Sequence, residues 1–179
     1  MSAQSLLEAL QTSALGNWMR YANGAMPVVE SAHVLAAVLV LGTVLIVDVR
    51  LLALADRGRA FTRVSRETLR LTWLAFCVSV VTGSLMFTTS PQTYFYNTAF
   101  QCKALALFAA GLNMALFQLL TARGVAEWNE TPRPPNAARI AGLLSIALWT
   151  AVVLLGRWIG FTKGYDFAIP PGVDLEVLR

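Results

Sequence analysis

The sequence predicts an all-α integral membrane protein. It reads as a four-helix transmembrane bundle preceded by an amphipathic helix at the membrane surface, with both termini outside. Three observations carry this reading. Of the 179 residues, 56% are hydrophobic and 13% charged, against roughly 45–50% and 25% in soluble domains. Four apolar runs are long enough to cross a bilayer, which takes about 20 helical residues. The basic residues gather in two short loops between those runs, the pattern that orients membrane proteins. The net charge of +4 therefore reports membrane topology and not a nucleic-acid surface.

The chain divides into an interfacial segment over 1–24, a bundle over 25–162 and a short extracytoplasmic tail over 163–179. In the first, Leu6, Leu7, Leu10, Ala14, Leu15, Trp18 and Met19 recur at helical spacing, with Gln4, Glu8, Gln11 and Asn17 between them. That alternation suits one helix lying in the membrane surface. Glu8, the lack of a basic head and the lack of a continuous apolar centre are unlike a signal peptide. Insertion is expected to be driven by the helices themselves.

The first span is predicted from Pro27 to Val49, with Pro27 preset for a first helical turn. The next loop holds Arg50, Arg57, Arg59, Arg63, Arg66 and Arg70, a strong positive-inside signal. The second span covers Leu71–Thr88 and Ser90-Pro91 breaks it. Tyr94, Phe95 and Tyr96 then suit the headgroup layer at the opposite face. The third span is predicted over Lys103–Thr121. A connector with Arg123, Arg133 and Arg139 and a Thr-Pro-Arg-Pro-Pro run leads to the fourth, over Asn136–Phe161. With this topology nine basic residues fall on the inner side and five on the outer. The expected location is a bacterial inner membrane with periplasmic termini. Cys77 and Cys102 fall roughly 20 Å apart by helix rise, too far for a disulfide, so both are expected to be free thiols.

Ionisable groups within spans are costly, by about 2.5–3.5 kcal/mol each at mid-membrane, and mark function. Glu30 and His33, the only histidine, share a face of the first helix at i, i+3 spacing. Lys103 opens the third helix at the same level and Arg157 closes the fourth. Trp18, Tyr94, Tyr96 and Trp158 supply aromatic cover. These four ionisable groups form a candidate cofactor pocket at the outer end of the bundle. His33, Glu30 and Met86 are its candidate metal ligands, with His33 as ligand or proton carrier and Glu30 as its orienter.

A b-type haem held by His33 with Met86, or by His33 from two protomers, is compatible with this set, with Lys103 and Arg157 meeting the propionates. A di-iron carboxylate site is not, because one chain holds a single Glu-x-x-His unit. No nucleotide loop, Ser-His-Asp set or zinc-type cysteine spacing points to hydrolytic catalysis. Asp48, at the inner end of the His33 stripe, is expected to pair with Arg50 or another loop arginine. Asn113 is expected to bridge helices by a side-chain hydrogen bond.

The middle of the chain, about residues 28–120, resembles the four-helix copper resistance D-type membrane domain and its relatives. The resemblance rests on His33, the Arg59-Ala-Phe-Thr-Arg63 segment, Val-Thr82-Gly83, Tyr94, Lys103 and Asn113. It implies copper handling beside a periplasmic copper-binding protein, with His33, Met26, Met86 and Cys102 as the donors nearest the outer mouth. Three functions are therefore carried forward: a copper-handling or transport component, a haem- or quinone-binding anchor of an electron-transfer complex, and a structural scaffold. In each, the chain works in a lipid bilayer as a homo-oligomer or as a subunit of a larger complex.

Overall fold

A computed structural model describes residues 2–54, 60–129, 131 and 133–162. The tail over 163–179, Arg57 and Arg59 of the first loop, and Pro132 of the connector lie outside the described residues. Four helices are long and apolar enough to cross a membrane, and no strand occurs among the described residues. The chain is an all-α, multi-pass membrane protein.

The amphipathic segment forms two short helices, not one. Ser2 caps α1 (Ala3–Gln11), its hydroxyl accepting from Ser5 N. Ser13 caps α2 (Ala14–Tyr21), its hydroxyl accepting from Gly16 N at 3.1 Å. A second N-cap in mid-segment supplies acceptors for a new set of orphan N–H groups, so the helix restarts there. α2 packs on the end of α4 and α1 on α5. Contact is close at Gly16, where a Cβ would lie 3.0 Å from the Thr88 carbonyl oxygen.

Gly24 turns the chain at φ 80° into α3 (Ala25–Leu51), a conformation that suits a residue without Cβ. At 27 residues, α3 spans about 40 Å and exceeds the hydrocarbon core. The next helix, α4 (Phe61–Thr89), begins ten residues before the predicted start. Its first donors find partners in the opposite loop: Phe61 N donates to Asn129 O and Thr62 N to Asn129 Oδ1, both at 2.9 Å. Arg63, Arg66 and Arg70 thus ride on a helix instead of a loop, with Arg63 paired to Glu67 at 3.1 Å.

After the short α5 (Pro91–Phe95), Asn97 caps α6 (Thr98–Leu116). Asn97 Oδ1 accepts from Phe100 N, and Nδ2 donates to Thr162 Oγ1, both at 3.0 Å. Lys103 therefore sits in the second turn of α6 and does not open it. A π-turn over Phe117–Thr121 and a 3-10 turn over Ala122–Gly124 lead to α7 (Val125–Trp128) and then α8 (Asn136–Thr162).

Two helical hairpins result, α3 with α4 and α6 with α8, joined mainly where α3 crosses α8. At that crossing a Cβ on Gly142 would lie 3.1 Å from Leu51 Cβ and 3.3 Å from Asp48 O. Small residues permit such approach, which membrane helices use in place of hydrophobic burial. Asn113 Nδ2 bonds Ala141 O at 2.9 Å, the bridge expected of it, and Thr72 bonds Thr43 through their hydroxyls at 2.8 Å. Phe61, Trp128, Leu51 and Ala138 seal one end; Tyr94, Ala99 and Ile159, with Phe87 and Phe100, seal the other. α4 and α6 scarcely touch, which leaves a gap between the hairpins.

Candidate functional site

His33 lies in the third turn of α3 and is half-buried against α4. Its Nδ1 is 2.9 Å from Ser79 O and 3.1 Å from Thr82 Oγ1. The Ser79 carbonyl can only accept, so Nδ1 carries a proton and donates. The Thr82 hydroxyl gives its own proton to Val78 O at 2.6 Å, leaving its oxygen able to accept as well. Nε2 has no hydrogen bond among the described residues and keeps its lone pair when the ring is neutral.

The surface of α4 is shaped for this ring. Ser79, Thr82 and Gly83 fall at i, i+3 and i+4, on one helix face. A Cβ on Gly83 would lie 3.0 Å from His33 Cε1, tighter than an ordinary van der Waals contact. Met86 is on the same face, one turn further toward the Tyr94 end, and half-buried.

Lys103 reaches across from α6 to α8, where its Nζ would lie 3.3 Å from a Cβ on Gly156. Lys103 and Glu30 are the charged groups that act on His33 electrostatically. Glu30 itself is exposed, one turn from the ring. Arg157 is exposed too, with its guanidinium carbon 5.6 Å from the centre of the Phe161 ring. Of the aromatic cover, Tyr94 is buried within the end cluster, whereas Trp18, Tyr96 and Trp158 are exposed. No group of three or more His, Cys, Asp or Glu side chains suited to a metal ion occurs among the described residues. Cys77 and Cys102 are free, as expected from their separation.

The profile of one protein family matches residues 6–162, nearly the whole of this bundle together with its N-terminal helices. The chain belongs to DUF6644, a family of unknown function. No curated protein and no solved structure matches it.

A second polar place lies in the other half of this DUF6644 bundle, where an ordinary ion pair was expected. Asp48 is only 4% exposed, and the hydrogen-bond partner of its carboxylate is the Ser145 side chain of α8. Its Oδ2 has no hydrogen-bond partner among the described residues. Arg50 is fully buried and donates to the carbonyls of Asn129 and Thr131, at 3.3 and 3.1 Å. Asp48 lines a cavity of about 260 Å³ in the gap between α4 and α6. Sequence reasoning missed this because the α3–α8 crossing that brings Ser145 to Asp48 is long-range. The available signal was a lone serine in the apolar fourth span.

Proposed function

We propose that this protein is a subunit of an electron-transfer complex in a bacterial inner membrane, in which His33 would ligate the iron of a b-type haem. One observation carries the reading: Nδ1 is held as a donor by the Ser79 carbonyl while Nε2 is left without a partner. Metal-ligating histidines have this arrangement, since the second ring nitrogen donates to a carbonyl or carboxylate that fixes tautomer and orientation. The absence of a three-donor cluster among the described residues favours a metal that arrives with four donors of its own, as haem iron does.

Lys103 supports the same choice. Its ammonium repels a bare copper ion but complements a haem propionate. Met86 of the same chain, or His33 of a second protomer, would be the second protein ligand, and the latter requires a homodimer. The excess of arginines at the Arg50 end supports a cytoplasmic side for that end. His33 and both termini then lie toward the periplasm.

The test is an optical spectrum with metal analysis on detergent-purified protein, with and without added haemin, beside a His33→Ala variant. A Soret band present in the native protein and lost in the variant is the expected result. Bound copper without a Soret band, also lost in the variant, would replace haem with the copper handling implied by the copper resistance D-type resemblance. No Soret band after haemin addition and no copper would sink both metal readings and leave a scaffold.

A further inference from the structure

The bundle contains a polar group that the haem reading does not use. Among the described residues the Asp48 carboxylate is almost fully enclosed, is partnered by Ser145 and leaves Oδ2 unpaired. A buried carboxylate oxygen without a donor is costly, because water has been removed and nothing has replaced it. Asp48 lines a cavity of about 260 Å³ between the hairpins, so a donor held there meets the carboxylate once its side chain turns toward that space.

The lining defines what that donor is attached to. The walls are mostly apolar, with Val40, Leu107, Trp73, Phe76 and Trp149 among them, and also carry the neutral polar side chains of Thr72, Asn113 and Gln118. Phe76 meets Trp73 and Trp149 edge-on, with ring centres 6.0 and 6.4 Å apart. A carboxylate at one end and aromatic rings along the walls form a pairing that favours an organic cation over a neutral or anionic guest. The volume falls just below the range for drug-sized ligands, so the guest is small.

Length is set by helix geometry. Trp149 follows Ser145 by four residues, just over one turn, which is about 6 Å along α8. An ammonium bonded at Asp48 and Ser145 therefore places an apolar group two carbons away beside Trp149. Because the cavity sits where the hairpins scarcely touch, a guest enters sideways from the lipid, between α4 and α6.

We propose that the Asp48 cavity binds a small lipophilic ammonium, whose N–H donates to the Asp48 carboxylate and whose apolar body lies between the aromatic side chains of α4 and α8. This site is separate from His33, some fifteen residues and about 22 Å away along α3.

The test is calorimetric titration of detergent-solubilised full-length protein with 2-phenylethylammonium, and with 2-phenylethanol as its neutral isostere. Saturable binding of the ammonium, at least tenfold tighter than the alcohol, is expected. Asp48→Asn should weaken the ammonium at least tenfold and leave the alcohol unchanged, whereas His33→Ala should alter neither. Should Asp48→Asn fail to fold, Gly111→Phe serves instead. Gly111 lines the cavity and a Cβ there meets nothing within 4 Å, so a ring is admitted at the cavity wall and should weaken binding at least tenfold. Equal affinity for alcohol and ammonium, ammonium binding unchanged by these variants, or no saturable binding would overturn the proposal.

Discussion

Gly83→Ala tests whether the fit between His33 and α4 is as tight as the geometry states. The new methyl would stand 3.0 Å from His33 Cε1 and 3.4 Å from Nδ1. The ring cannot retreat freely, because its Nδ1 is bonded to Ser79 O at 2.9 Å. Overpacking of this kind costs about 1–3 kcal/mol, and a broken hydrogen bond adds about 1 kcal/mol. Alanine's better helix propensity returns up to about 1 kcal/mol. The net expectation is a loss of about 1–3 kcal/mol. Reversible unfolding in mixed micelles measures it, with His33→Ala and the double variant completing a cycle. Removing the imidazole should remove the penalty, giving a coupling of at least about 1 kcal/mol. Full stability in Gly83→Ala, or the same loss with and without the ring, would refute the packing argument and with it the fixed Nδ1 donor.

Two further outcomes follow from the packing. Gly142→Ala pushes a methyl against Leu51 Cβ and the Asp48 carbonyl at the α3–α8 crossing; it should destabilise by about 1–3 kcal/mol. Gly42→Ala, where a Cβ meets nothing within 4 Å, should be neutral or slightly stabilising in the same unfolding assay. Asn97→Ala removes both the cap on Phe100 N and the tie to Thr162. A loss of about 0.5–2 kcal/mol is expected, read as faster amide exchange in the first turn of α6; unchanged exchange there would show that the cap contributes nothing.

Periodicity and caps explain where sequence reasoning stopped. Ser13 as a second N-cap and Asn97 before α6 were visible in the chain, and each is a local signal. They were outweighed by apolar run length, which marks where a helix meets lipid and not where its backbone starts. The early start of α4 had no local signal, since its first N–H groups depend on Asn129, far along the chain. Among the candidate site residues, Glu30 and His33 share a face because they are one turn apart. The height of Lys103 followed from topology, whereas its reach across to Gly156 depended on a neighbouring helix.

What the amino-acid sequence determined by itself is therefore the solvent and the element type. Long apolar segments must satisfy their backbone groups internally once in lipid, so they become helices whatever their neighbours are. Which helices touch was decided only in three dimensions. In lipid, apolar side chains gain little by choosing one apolar neighbour over another, and close approach at Gly142 or a bond such as Asn113 to Ala141 makes the choice. That choice set α3 against α8 and left α4 apart from α6. It thereby brought Asp48 to Ser145 and opened a cavity between the hairpins that no local pattern contains.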